Sequence, residues 1–137
     1  MGTRSTIALE YADGSVEQVY CHWDGYLSHN GRILTDHYTD PHKLQELLAL
    51  GGFSSLKETV EETKLQAYHF WRGEDLTIER YKDFFNYQRE CPQEEYNYIL
   101  KQEDGQAVWR VCCYATDDTW VTLDQAAAME ELMNDED

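Results

Sequence analysis

Positive charge is scarce in this chain. Its 137 residues carry 11 Lys and Arg against 27 Asp and Glu, a formal net charge of −16. Nucleic acids are held largely through Lys and Arg contacts to phosphate. Direct binding of DNA or RNA by a broad surface is therefore not expected. Long apolar runs are missing too, and no stretch approaches the roughly 18 residues of a membrane helix. The opening "MGTRSTIALEYADG" has neither the long apolar centre nor the small-residue cleavage site of a secretory signal. The expectation is a cytoplasmic protein without membrane contact.

Familiar chemical motifs are lacking as well. There is no G-x-G-x-x-G, Walker or G-x-S-x-G sequence. There is no Cys-x-x-Cys or His-x-x-x-His spacing for zinc. Cys21, His22, His29, His37 and His42 crowd one stretch, but Cys21 and His22 point to opposite sides of a strand. Asp40-Pro41 separates His37 from His42. No metal, cofactor or catalytic residue is assigned. An enzyme reading would have to use Cys21 or His22. The four cysteines, Cys21, Cys91, Cys112 and Cys113, are expected as buried free thiols. Adjacent Cys112 and Cys113 face opposite ways on a strand and cannot form an ordinary disulfide with each other.

What is present suffices for one globular domain spanning 1–137, since 42% of residues are hydrophobic and 13% aromatic. "STIALEY" and "VEQVYCHW" alternate around Asp13-Gly14 and predict a hairpin. "DGYLSHNG" reads as an irregular loop, and "GRILTDHYTD" as a short helix. Asp40-Pro41 starts a helix with an apolar stripe of Leu44, Leu47 and Leu48, and Gly51-Gly52 ends it. "FSSLKETVEETKL" predicts a further short helix, and Tyr68 to Trp71 a short strand ending at Gly73. A helix capped by Thr77 is expected to bury Ile78, Tyr81 and Phe85 and to stop at Cys91-Pro92. A second hairpin turns at Asp104-Gly105, and Thr122 with Gln125 boxes the start of a last helix. Residues 134–137 are expected to fray, because acids oppose the dipole at a helix C-terminus. The expected fold is α+β: an antiparallel sheet of two hairpins, about 5–23 and 96–114, with three to four helices on one face.

Two binding chemistries stand out. "YCHWDGYLSHNGRIL", Tyr20 to Leu34, concentrates aromatics at a strand end, where binding loops sit. Tyr20, His22, Trp23, Asp24, Tyr26, Arg32, Trp109 and Arg110 could together stack a planar base and hold a phosphate. Packing of Tyr26 over the hairpin, and an Arg110–carboxylate pair such as one with Asp24, would account for the same residues without a ligand. The other chemistry is acidic. Glu58, Glu61 and Glu62 form one cluster; Asp117, Asp118, Asp124, Glu130 and Glu131 form a second that runs on into Asp135, Glu136 and Asp137. Such a surface would attract a partner protein with a basic groove, imitating nucleic acid if the carboxylates cluster on one face.

"TRSTIA", "DGSV", "VYCHWDGY" and "NGRILTDHY" together resemble a set of small proteins carried by bacteriophages and prophages. The pattern is TRS-x-I-A, then Y-C-H-W-D-G-Y-P, then a G-x-x-L step. The resemblance covers residues 3–50, with "ALGGFSSL" matching more loosely; Leu27 stands where the pattern has Pro. It implies a phage origin and no particular reaction. The expectation is therefore a non-enzymatic accessory protein that inhibits or modulates a host factor, such as an anti-phage defence protein. A module sequestering a nucleotide signal is the alternative, and self-association is left open.

Overall fold

The computed structural model describes residues 3–73, 78–91, 94–117 and 119–134. A six-stranded sheet runs through it. The strands are β1 (Ser5–Glu10), β2 (Val16–Cys21), β3 (Glu79–Tyr81), β4 (Tyr96–Glu103), β5 (Gln106–Cys113) and β6 (Val121–Thr122). Their order is β3-β2-β1-β4-β5-β6. The helices are α1 (Arg32–His37), α2 (Pro41–Leu48), α3 (Val60–Lys64), α4 (Tyr68–Arg72), α5 (Phe84–Glu90) and α6 (Leu123–Asn134).

The sheet is mixed rather than antiparallel. β1 pairs antiparallel with β2, and β4 with β5, but β1 and β4 lie parallel at the centre, with Ile7 opposite Tyr98. The reason lies in burial. Ser5 to Leu9 and Tyr96 to Leu100 are buried at every position. Strands covered on both faces favour the middle of a sheet and tolerate parallel pairing. The small or uncharged Thr6, Ala8 and Asn97 on the second face permit this.

Two cores result, one on each face, so helices do not gather on one side as expected. The larger joins Ile7, Leu9, Val19, Tyr98, Leu100 and Val111 to Leu34 of α1, Leu44, Leu47 and Leu48 of α2 and Ala126 of α6. The smaller joins Ala8, Val16 and Ile99 to Tyr81, Tyr87 and Cys91, with Phe84 and Trp120 packed on its rim. The Trp120 ring meets Phe84 edge-on at 5.6 Å.

Local signals placed several elements correctly. Asp40 accepts from the His42 amide at 2.9 Å ahead of Pro41, and Gly51 ends the α2 region with φ +75°. Asp104 and Gly105 both take positive φ, the backbone a two-residue hairpin requires. Thr122 and Gln125 exchange bonds of 3.1 and 3.3 Å at the start of α6. Asn134 is the last residue of that helix, and 135–137 lie outside the described residues.

Two elements differ. Tyr68–Arg72 is a helical turn closed by left-handed Gly73 rather than a strand. The expected helix from Thr77 divides into β3 and α5; Thr77 itself lies outside the described residues. Tyr81 pairs with Val16 at the sheet edge, and Asp83 then caps α5 by accepting from the Asn86 amide at 2.8 Å. The register thereby shifts. Tyr87 is fully buried while Phe85 is 68% exposed.

Burial also sets the alkaline limit of the fold. It pushes the Cys21 thiol to about 11 and the Tyr81 phenol to about 12, and holds Tyr87 and Tyr98 well above the ordinary tyrosine value. These groups keep their protons when folded and lose them when unfolded. Stability from this source is full below pH 9 and falls as pH rises toward 11 and beyond. Thermal unfolding should show a melting temperature that drops steadily above pH 9, with tyrosinate absorbance from Tyr87 and Tyr98 appearing only on unfolding. A flat profile to pH 11 would contradict this.

Candidate functional site

The stretch Tyr20–Leu34 has an inner and an outer half. The inner half is structural. β2 ends at Cys21, and Asp24 takes φ +57°, which turns the chain back across the start of β1. Gly25 donates to the Thr3 carbonyl at 2.7 Å and accepts from the Tyr98 hydroxyl at 2.7 Å. A Cβ at Gly25 would lie 2.8 Å from both Ser5 Cβ and the Thr3 carbonyl oxygen. Only glycine fits. A single π-helical turn, Leu27–Gly31, follows and leads directly into α1.

Asn30 is the centre of this half. It is fully buried. Its amide nitrogen points at Ser5 Oγ (3.2 Å), Cys21 Sγ (3.4 Å) and the Trp23 carbonyl (3.5 Å), and its oxygen sits 3.1 Å from His29 Nδ1. The side chain thus ties β1, the end of β2 and the turn together. Cys21 belongs to the same knot and is buried, with its thiol raised by that burial. Such a thiol is a poor nucleophile near neutral pH.

The outer half is an aromatic strip. The Tyr20 hydroxyl lies 2.7 Å from His22 Nδ1, and the Trp23 ring meets His22 edge-on at 4.7 Å. Tyr26 donates to Asp24 at 3.2 Å and packs edge-on against His29. Trp23 is 42% exposed and Tyr26 37%. Of the predicted ligand residues, Tyr20, His22 and Trp23 thus form one contact group, and Asp24 and Tyr26 form another with His29.

The other three do not join them. Trp109 is buried in the larger core, and its indole donates to the Tyr38 carbonyl at 3.1 Å. Arg110 points to the opposite face of the sheet and grips Glu103 with bonds of 2.6 and 2.9 Å. That contact holds the Glu103 carboxyl below its ordinary range. The partner of Arg110 is thus a carboxylate of its own hairpin, not Asp24. Arg32 lies on α1, highly exposed, 3.7 Å from Asp36. A base stacked between Trp23 and Trp109 has no room in this arrangement.

The acids have a clearer geometry. Glu58 and Asp36 line one surface depression with His29, Arg32 and His37. Asp36 and Asp124 line the next, with Leu27, Arg32, Thr35 and Leu123. The two depressions share Ser28, Arg32 and Asp36, so Glu58 of one cluster and Asp124 of the other flank α1 with the Arg32–Asp36 pair between them. Glu61 and Glu62 continue the band on the first turn of α3. Lys43 is drawn inward, donating to the Glu58 carbonyl at 3.2 Å with its ammonium over the Tyr38 ring. Asp117 and Glu131 are exposed. Glu130 is half-buried and accepts from the Tyr96 hydroxyl at 2.7 Å. Asp118 lies outside the described residues. Asp36, which the sequence clusters did not include, pairs with Arg32 one turn earlier on α1 at 3.7 Å.

No group of three or more His, Cys, Asp or Glu placed to hold a metal occurs among the described residues. Among them also, no helix is long and apolar enough to cross a membrane.

The knot makes two testable statements. Asn30→Ala should cost about 1–3 kcal/mol in urea unfolding, because it strands buried polar partners. Gly25→Ala should cost a comparable amount by forcing the turn away from Ser5. A loss below about 0.5 kcal/mol in both would mean the knot does not hold the fold. The thiols of the native protein should react slowly with a disulfide reagent at pH 8, and all four should react on unfolding. In comparison with known proteins, the chain matches no family model, no curated protein and no solved structure.

Proposed function

We propose that this protein is a non-enzymatic binding protein whose acidic band docks on a basic surface of another protein. The observation that carries this reading is that Asp36 lines one depression with Glu58 and another with Asp124, on two sides of α1, with its ion-pair partner Arg32 the single Lys or Arg lining either. Clustered carboxylates produce a local potential that scattered ones do not. In a chain of net charge −16, the band would steer a cationic partner and speed its association. The phage-type motif in residues 3–50 makes a host protein with a nucleic-acid groove, such as a defence factor, the partner of choice. The buried state of Cys21, whose thiol burial raises, supports a binding role over nucleophilic turnover at this residue. The nucleotide-sequestering alternative is left with Tyr20, His22, Trp23 and Tyr26 alone, without the stacking of Trp109 or the clamp of Arg110.

Titration with poly-L-lysine tests the band directly. Binding should weaken steeply as salt rises past the point where the Debye length falls to about 8 Å. Asp36→Asn, Glu58→Gln and Asp124→Asn together should weaken it by about ten-fold, a loss near 1.4 kcal/mol. A control triple at Glu79, Glu90 and Asp104 removes the same charge elsewhere and should have a much smaller effect. Equal effects of the two triples, or binding indifferent to salt, would remove the basis for a band.

A further inference from the structure

We infer that the exposed apolar ridge of α6 is the seat of a basic amphipathic helix from a partner protein. The inference rests on the acidic-band reading for the sign of the partner's charge, and adds to it the partner's apolar half.

The ridge is a matter of helix geometry. α6 has 12 residues, about 18 Å of helix. Leu123 and Ala126 turn toward the larger core, and Glu130 toward Tyr96. Met129, Leu132 and Met133, spaced i, i+3 and i+4, form an apolar row that the sheet does not cover. They are 37%, 67% and 48% exposed. A helix on a globular domain ordinarily turns its apolar stripe to the core and its polar residues to water. Here the second half of the helix presents its largest apolar side chains outward. Tyr114, 60% exposed and edge-on to Tyr96 at 6.3 Å, adds apolar surface nearby. Contiguous exposed apolar surface of this kind marks interaction sites.

The charge around the ridge selects its occupant. From Val111 to Asp137 the sequence has eight acids and no Lys, Arg or His. Among the described residues, Asp117, Asp124, Glu130 and Glu131 belong to this set. A second copy of the chain would bring the same acidic segment against itself. An anionic lipid surface would be repelled as well. A segment with Leu or Trp on one face and Lys or Arg beside it satisfies both the ridge and its flanks, in the helix-on-groove mode of recognition. Two of the three ridge residues are methionines, whose flexible side chains adapt to varied apolar partners. Asp124 lines a depression that reaches α1, where Arg32 pairs with Asp36, so the occupant's basic flank would lie over the exposed Asp124.

The test uses the full chain and two synthetic peptides of about 15 residues, long enough to form a helix when bound. Both contain only Leu and Lys in equal numbers. In one the Leu residues fall on a single helical face; in the other they are dispersed around the helix. The amphipathic peptide should bind about ten-fold more tightly than the dispersed one. Met129→Gln, Leu132→Gln and Met133→Gln together should abolish that preference, while poly-L-lysine binding stays unchanged. The exposed Leu132→Gln alone should reduce it partway, and covers the case in which the triple variant folds poorly. Preference retained in the variants would overturn the inference. So would a wild-type dimer that the triple variant converts to monomer, since a second copy would then cover the ridge. Loss of poly-L-lysine binding in the wild type defeats the acidic-band reading; poly-L-lysine binding without peptide preference defeats only the ridge.

Discussion

The seam between β1 and β4 is the constraint on which the rest of the molecule depends. Two strand pairs far apart in sequence meet there in parallel, and parallel strands cannot be joined by a tight turn. The chain therefore has to leave β2, travel through five helices and one short edge strand, and return as β4. Closing so long a loop costs entropy that local contacts do not repay. The Tyr98 hydroxyl answers part of that cost by donating to the Gly25 carbonyl, 73 residues away in sequence. Asn30 adds Ser5 of β1 to the same junction. The seam is held by its strands and by the turn folded over their beginning.

A net charge of −16 sets a second constraint, because like charges repel in the compact state. The scarce cations are used sparingly. Arg110 is bound by Glu103, Arg80 by Glu17 at 2.8 Å, and Lys101 by Glu10 at 3.5 Å. Each of these pairs joins neighbouring strands or the two arms of one hairpin, so the sheet uses three of the eleven Lys and Arg. On the helices the surplus of acid lies on α6, with Asp124, Glu130 and Glu131 and no Lys or Arg, and on α3, with Glu61 and Glu62 against Lys64, whereas Arg32 balances Asp36 on α1. Acid that self-repulsion would otherwise penalise is stabilised when a cationic partner covers it.

Elements governed by local chemistry were legible in the sequence. Asp104-Gly105 needs only its own backbone to turn, and Asp40-Pro41 only its own amides to cap. Elements governed by distant partners were not. Nothing within "IERY" shows that Glu79 to Tyr81 will add to the edge of β2, because the partner strand lies more than sixty residues earlier. The alternation of "STIALEY" is the same for parallel and antiparallel pairing; the clue was the small, uncharged Thr6 and Ala8 on its second face. Trp109 and Arg110 resembled site residues because an indole and a guanidinium are costly to bury. The Tyr38 carbonyl and Glu103, which satisfy them, emerge only from the fold. Asn30 carried no signal at all, since Asn-Gly reads as an ordinary turn.

The two halves of Tyr20–Leu34 can now be related. Its cysteine, glycines and asparagine are fixed by space and by buried hydrogen bonds, which restricts them more tightly than contact with a mobile ligand would. The consequence of that rigidity appears one residue further on. α1 begins at Arg32, directly after the π-turn, and carries Arg32 and Asp36 between Glu58 and the start of α6. If the turn slipped, α1 would rotate or shift, and Glu58 and Asp124 would no longer share a neighbour. A stretch whose composition suggested a ligand pocket thus acts as a rigid mount. Trp23 and Tyr26 remain at its rim, the exposed part of the mount.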